Sequence, residues 1–173
     1  MRQQSLRPGD VVVALQLSIT PGVHLRRLAD DSGRSIGEVH NAIARLQASG
    51  LVDPASRRIE REPFVQFIRW GVPFAFPAAT GGFTVGMATA RTRDHGSTDE
   101  PVQTEFVWPL ATGASRGESI TPLHPRVPEI AGRNPTLRTL LSLVDLVRVG
   151  GTRERNAAMI NIERLIQPAV SGG

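Results

Sequence analysis

Polar side chains able to pair with bases recur in one short window, residues 34–45. Asn41 and Arg45 lie four residues apart, His40 precedes Asn41, and Arg34 stands just before the window's first serine. An Asn amide matches the hydrogen-bonding edge of adenine, and the Arg donor fork matches guanine or phosphate. On a helix, a spacing of four residues places Asn41 and Arg45 on one face. The window therefore predicts a surface for nucleic-acid contact.

Two helices joined by a tight turn must position these side chains. Leu25, Leu28 and Ala29 repeat at helical spacing, and residues 30–33 break the pattern. A second helix opens at Ser35, which forms a capping box with Glu38. The residues predicted to be buried share one face of this helix and are Ile36, Val39, Ile43 and Leu46. Gly50 is predicted to end this helix, because glycine is common at helix C-termini.

The opposite face of the second helix is small and polar. Asn41 lies near its centre, surrounded by Gly37, Ala44, Arg45, Ala48 and the turn residue Arg34. Small residues let a helix enter the major groove closely. A merely solvated face is the alternative for Asn41 and Arg45. His40 lies to the side, and groove contact and helix packing remain equally open for it.

Residues 28–52, with the pattern Leu-Ala-x₃-Gly-x-Ser-x₃-Val-x₃-Ile-x₂-Leu-x₃-Gly-Leu-Val, resemble the helix-turn-helix core of bacterial winged-helix regulators. The MarR, ArsR and Lrp-like groups share this frame, and the resemblance covers residues 6–62. It implies a winged helix-turn-helix DNA-binding domain over residues 1–62. The implied function is a sequence-specific transcriptional regulator, a homodimeric (auto)repressor that reads the major groove of double-stranded DNA with helix 35–48. The implied DNA-binding residues are Arg34, Ser35, Gly37, His40, Asn41, Ala44, Arg45, Arg57, Arg58, Arg26 and Arg27.

The arginines that could contact the DNA backbone also have other interpretations. Residues 51–60 predict a short strand and a clipped wing, in which Arg57 and Arg58 would lie beside the DNA backbone. The segment is short enough to be only a connector to the next helix. Arg26 and Arg27, on the outer face of the preceding helix, are either phosphate contacts or part of a solvated surface.

The charge balance is compatible with DNA binding without establishing it. All 20 basic residues are arginine, and residues 1–62 hold nine arginines against seven acids, a net charge of only +2. Codon bias is the simplest source of an all-arginine composition. The chain has no cysteine and no apolar leader, and no apolar run approaches the ~20 residues of a membrane span. These features predict a cytoplasmic protein without a membrane partner.

Residues 63–173 resemble no family that can be named, and we interpret them as an extension for dimerisation or for partner or effector binding. The first predicted element is an apolar helix that starts at Pro63 and ends at Gly71. A Pro/Gly/aromatic crossing over 73–86 follows, with strands near 84–90 and 116–120 and a mobile polar loop over 92–104. A helical hairpin then starts at Asn134 and turns at residues 150–151. Three prolines near residue 125 argue against helix there. Asp145 and Arg148 on the first helix of the hairpin are expected to pair near its bend with charges on the second helix, which are Arg153, Glu154 and Arg155. The fold class is thus mainly α with a small β component: an N-terminal winged helix-turn-helix, an irregular middle segment and a C-terminal helical hairpin.

No catalytic constellation is recognisable. The four histidines are scattered, without metal-ligand spacing, and paired acids such as Asp30 and Asp31 lie in turns or loops. Phe83 and Trp108 either line a ligand pocket or, the favoured interpretation, anchor an irregular chain. We therefore predict a non-enzyme with no catalytic, cofactor or metal residues. The alternative function is a protein-interaction module on the same scaffold, such as an antitoxin or adaptor that binds a partner through residues 63–173.

Overall fold

The computed structural model describes residues 4–94 and 102–166. Its N-terminal part contains helices α1 (Pro8–Ile19), α2 (Leu25–Ser32) and α3 (Ile36–Ala48). A turn joins α2 to α3 at Gly33, whose φ of 62° is in the left-handed region that glycine tolerates. The capping box of α3 is confirmed: the Glu38 amide donates to Ser35 Oγ at 3.1 Å, and the Ser35 amide donates to Glu38 Oε2 at 2.8 Å.

The buried face of α3 differs in part from the prediction. Val39, Ala42, Ile43 and Leu46 are buried, whereas Ile36 is 48% exposed. The prediction for Ile36 was wrong because it is the first residue of α3 and lies at the end of the helix rather than over the core. Ala42 takes its place in the buried stripe.

Where a wing was predicted, the structure has one antiparallel bridge, between Val52 and Ile59. Asp53 accepts hydrogen bonds from the Ser56 amide and hydroxyl, both at 2.6 Å, and these bonds lower the pKa of the Asp53 carboxyl. The Gln47 side chain donates to the Pro54 carbonyl at 3.4 Å. The hairpin therefore lies beside the C-terminal end of α3.

The next helical segment is longer than predicted. Helix α4 (Arg61–Gln66) leads directly into a π-helical turn (Phe67–Gly71) and then into α5 (Val72–Ala75). The prediction that Gly71 ends the helix was wrong. A Cβ on Gly71 would lie 2.3 Å from Phe67 Cδ2, so glycine is needed here for close packing within the turn.

Three strands form a small closed sheet: β1 (Thr80–Asp94), β2 (Val102–Pro109) and β3 (Ser115–Ile120). The first half of β1 pairs antiparallel with β3, its second half pairs antiparallel with β2, and β2 and β3 pair in parallel at two positions. A Cβ on Gly86 would lie 2.2 Å from the Trp108 carbonyl oxygen, so glycine permits this closure. Both predicted strands belong to the sheet, but residues 92–94 and 102–104, predicted as loop, are strand. Residues 95–101 lie outside the described residues.

The C-terminal helices are α6 (Val127–Arg133), α7 (Pro135–Val149) and α8 (Thr152–Leu165). The helical hairpin is confirmed: α7 packs on α8, and Asn134 Oδ1 caps α7 by accepting from the Leu137 amide at 3.0 Å. Helix α6 was not expected. Pro128 is compatible with it because this proline lies in the first turn, where an amide is not needed.

Helix α7 is the central element, because it also contacts α1, α5, α6 and β1. The hydrophobic core is continuous across residue 62, the predicted domain boundary. Among the described residues 54% are helical and 19% lie in strands, so the fold is mixed, with helices predominating. No helix in these ranges is long and apolar enough to cross a membrane.

A buried polar network joins α7 to the sheet. Asp145 and Arg148 pair at 2.8 Å with side chains only 2% and 3% exposed, so the expected pairing near the hairpin bend was wrong. Asp145 Oδ2 also accepts from Trp108 Nε1 at 2.7 Å and from Thr89 Oγ1 at 2.8 Å. The Arg148 guanidinium donates to the carbonyls of Phe76, Pro77 and Thr121, at 2.9, 3.4 and 3.1 Å.

Candidate nucleic-acid interface

The face of α3 that points away from the core is narrow and small. Gly37, His40, Asn41 and Ala48 are exposed, and Ala44 is half-buried. These residues come together on one side of the helix because Val39, Ala42 and Leu46 occupy the other. The face combines three residues without a bulky side chain and two with hydrogen-bonding groups.

The N-terminal arm borders this face. Residues 4–7 line a groove of about 470 Å³ together with Asn41, Ala44 and Arg45. Asn41 is therefore presented beside a second chain segment. The exposed polar face of α3 and the arm form one continuous surface.

Arg45 lies at the edge of the face, not at its centre. Its Nε and Nη2 donate to Asp10 Oδ2 and Oδ1, at 2.8 and 2.7 Å, and its side chain is only 16% exposed. The hydrogen bonds to Asp10 raise the pKa of the Arg45 guanidinium. In this geometry Arg45 fixes α3 to the start of α1, and base reading by Arg45 would require it to leave Asp10.

Arg34 is also turned inward. Its Nη1 donates to the Gly9 carbonyl at 3.1 Å, and burial lowers its pKa. Its Nε and Nη2 have no hydrogen-bond partner in the described part of the chain. The neighbouring Ser35 contributes the helix cap, and the capping hydrogen bonds lower the pKa of Glu38.

The remaining predicted cations are exposed. Arg57 and Arg58 lie in the hairpin beside the C-terminal end of α3, and Arg57 has a positive φ of 57°. Arg26 and Arg27 lie on the outer face of α2, where Arg27 pairs with Asp31 at 3.6 Å. The surface of α2 is thus mixed in charge, whereas both hairpin arginines are available to an anion.

Two residues near α1 and the α2–α3 turn were missed by sequence reasoning. Both follow β3: a Cβ on Gly33, in the α2–α3 turn, would lie 3.0 Å from Arg126 Nη1, and a Cβ on Gly9, in α1, would lie 3.1 Å from His124 Cδ2. Burial, and next the nearby Arg34, lower the pKa of His124. No local sequence signal identifies these contacts, since 93 residues separate Gly33 from Arg126 and 115 residues separate Gly9 from His124.

The aromatic residues do not share a pocket. Trp108 is buried and donates to Asp145, whereas Phe83 is 67% exposed and lies under the Arg116 guanidinium. Trp108 is therefore an anchor, the favoured interpretation. Within the described ranges no group of three or more His, Asp or Glu residues is placed to hold a metal ion.

No protein-family model matches the chain, and no curated protein or solved structure is significantly similar to it.

Proposed function

We propose that the protein is a sequence-specific DNA-binding transcriptional regulator of the winged helix-turn-helix type, which places α3 in the major groove. The observation that carries the proposal is the outward face of α3, where the exposed Asn41 lies among the exposed Gly37 and His40 and the half-buried Ala44. The major groove admits an α-helix, and short side chains let its backbone approach the base edges. An Asn at that distance matches the hydrogen-bonding edge of adenine.

The support of α3 fits a reading element. Its N-terminus is capped, its buried stripe packs on the core, and Asp10 holds it to α1 through Arg45. Such a helix can present Asn41 without first becoming ordered, which reduces the entropic cost of binding.

The roles of the polar groups divide by position. Asn41 and His40 would contact base edges, while Arg57 and Arg58 would contact phosphates from the hairpin. Binding as a homodimer to a twofold-symmetric operator would double these contacts. We propose autoregulation as the simplest use, with repression as its direction.

The experiment measures binding to a fluorescent duplex from the gene's own upstream region and to a random duplex of equal length, across a salt series. The proposal expects preference for the upstream duplex, with affinity falling steeply as salt rises. Asn41→Ala should weaken binding to the upstream duplex by about 1–3 kcal/mol, with a much smaller effect on the random duplex. Asn161→Ala is the matched control, because Asn161 is an exposed helical Asn on α8. If Asn41→Ala lost the same affinity for both duplexes, Asn41 would not be a base-reading residue.

A second candidate is a protein-interaction module such as an antitoxin or adaptor. It is favoured by Trp70 and Phe74, which are 65% and 73% exposed and lie four residues apart on the α4–α5 helical segment. Large aromatic side chains are enriched at the centres of protein interfaces. Stoichiometric co-purification of the neighbouring gene product, abolished by Trp70→Ala and Phe74→Ala, with no binding to either duplex, would favour this candidate over DNA reading.

A further inference from the structure

The segment after β3, residues 121–126, lies against the N-terminal end of α3. Arg126 is packed over Gly33 in the α2–α3 turn, and His124 is packed over Gly9 beside Arg34. Glycine at both positions leaves the space that these side chains occupy. A segment from the C-terminal part thereby becomes a neighbour of the proposed reading helix.

Positive charge is in slight excess at this end of α3. The arginines there are Arg34, Arg126 and Arg133, and the acids are Glu38 and Glu129. Asp10 also faces Arg34, but it forms a neutral pair with Arg45 from the last turn of α3. Each of these acids already has a partner: Asp10 binds Arg45, Glu38 caps α3, and Glu129 binds both Arg126 and Arg133. The Arg34 guanidinium has no carboxylate partner among the described residues. An anion that docks here would meet a positive potential.

Arg126 is the group that can reach such an anion. Its side chain is 50% exposed, and its Nη1 donates to Glu129 Oε2 at 3.1 Å. An exposed pair of this kind contributes little, so Arg126 can exchange it at small cost. Glu129 would keep Arg133 as its partner.

Arg126 and the hairpin arginines lie at opposite ends of α3. Arg57 and Arg58 lie beside the C-terminal end of α3, where Gln47 contacts Pro54, and Arg126 lies at the N-terminal end. Since α3 has 13 residues, its ends are roughly 20 Å apart at 1.5 Å per residue. A helix in the major groove has a phosphate backbone on each side, so cations at both ends can bind phosphates at the same time.

We propose that Arg126 binds a DNA backbone phosphate beside the N-terminal end of α3, with Arg34 adding to the positive potential behind it. This inference rests on the proposed function and extends it, because it makes the C-terminal part of the chain a direct contributor to DNA binding. A phosphate contact carries no sequence information, so Arg126 would support binding to every duplex equally.

The test compares Arg126→Ala with Arg133→Ala in the same salt series and on the same two duplexes. Both arginines bind Glu129 and both are exposed, but Arg126 is the one packed over the α2–α3 turn. Arg126→Ala should weaken binding to both duplexes about fivefold near 0.15 M salt, as expected for one released counterion, and should lower the slope of log K against log salt by about one. Arg133→Ala should change neither quantity. Arg126→Glu should weaken binding further.

The outcomes are separable. If the wild type prefers the upstream duplex and Asn41→Ala behaves as expected, an unchanged salt slope in Arg126→Ala overturns this inference and leaves the proposed function standing. Equal effects of Arg126→Ala and Arg133→Ala, or a loss by Arg126→Ala on the upstream duplex alone, also overturn it. If the folded wild type binds neither duplex, both proposals fail. Thermal unfolding of each variant shows whether a loss of binding is a loss of fold.

Discussion

Two buried aspartates, each held by an arginine, serve different parts of the molecule. Asp10 pairs with Arg45 between α1 and α3, and Asp145 pairs with Arg148 within α7. The aspartates are equally buried, at 1% and 2% exposed, but the Arg45 side chain is 16% exposed and the Arg148 side chain 3%. The N-terminal pair therefore lies at the surface and the C-terminal pair inside the core.

The hydrogen bonds around each pair explain how both are tolerated. Burial raises the pKa of the Asp145 carboxyl, and the donors Arg148, Thr89 and Trp108 oppose that shift. Asp10 instead accepts from Arg45 and from the Arg7 amide at the start of α1. A buried ion pair is stable only when its remaining polar groups are satisfied, and both pairs meet this requirement. The comparison shows one residue combination used for two purposes: to fix a helix at the surface, and to join a helix to a sheet.

The largest effect is expected at the inner pair. Asp145→Ala should lower the free energy of unfolding by about 3–5 kcal/mol, because Arg148 would remain buried without its counter-ion. Urea denaturation monitored by circular dichroism measures this change. Thr89→Val is the control; it removes one hydrogen bond from the same carboxylate and should cost about 1 kcal/mol. A loss below 1 kcal/mol for Asp145→Ala would contradict a stabilising role of this network between α7 and the sheet.

A smaller effect is expected at the outer pair. Asp10→Ala should lower the free energy of unfolding by about 1–3 kcal/mol, because the freed Arg45 can reach water. The same denaturation experiment measures it, with the exposed Asp30→Ala as the control, for which a change within about 0.5 kcal/mol is expected. If Asp10→Ala cost as much as Asp145→Ala, the difference in solvent access would not be what separates the two pairs.

The smallest expected effect is the pH dependence of stability that comes from His124, in the segment that connects the surroundings of the two pairs. Arg148 binds the Thr121 carbonyl, and three residues later His124 packs beside Arg34. The pKa of folded His124 lies below its unfolded value near 6.5, so the folded state binds fewer protons. The contribution of neutral His124 to the free energy of unfolding is fully present above pH 6.5 and is lost as the pH falls through the lowered pKa of the folded state. Because His124 is partly exposed, we expect a decrease below about 1 kcal/mol.

Denaturation of the wild type and His124→Gln between pH 7.5 and 5.5 measures this difference. The wild type should lose slightly more stability on acidification than the variant. A steeper loss in His124→Gln would show that the sign is wrong.

Local signals in the sequence predicted several helix ends, two of them beside the candidate site. The Ser35–Glu38 capping box, the Gly33 turn and the Asn134 cap depend on residues within one helical turn, and the structure contains all three. The helical spacing of α3 also separated its exposed residues from most of its buried ones. Such features are readable because the interacting groups are neighbours in the chain.

Contacts between distant residues were not predicted. Arg45 lies on the expected side of α3, but its partner Asp10 is 35 residues away and belongs to another helix. The positions of His124 and Arg126 depend on the path of the chain through the closed sheet. Helical periodicity indicates which face a residue occupies, and it contains no information on which segment packs against that face.

The hydrogen bonds of Arg148 also have a consequence for the order of folding. Phe76 and Pro77 precede β1, Thr121 follows β3, and one guanidinium on α7 binds the carbonyls of all three. The entrance and the exit of the sheet are thus fastened by a residue that follows both in the chain. Contacts of such long sequence separation form late because closing the intervening loops costs entropy. During synthesis these three hydrogen bonds can therefore form only after Arg148, near the end of α7, has emerged.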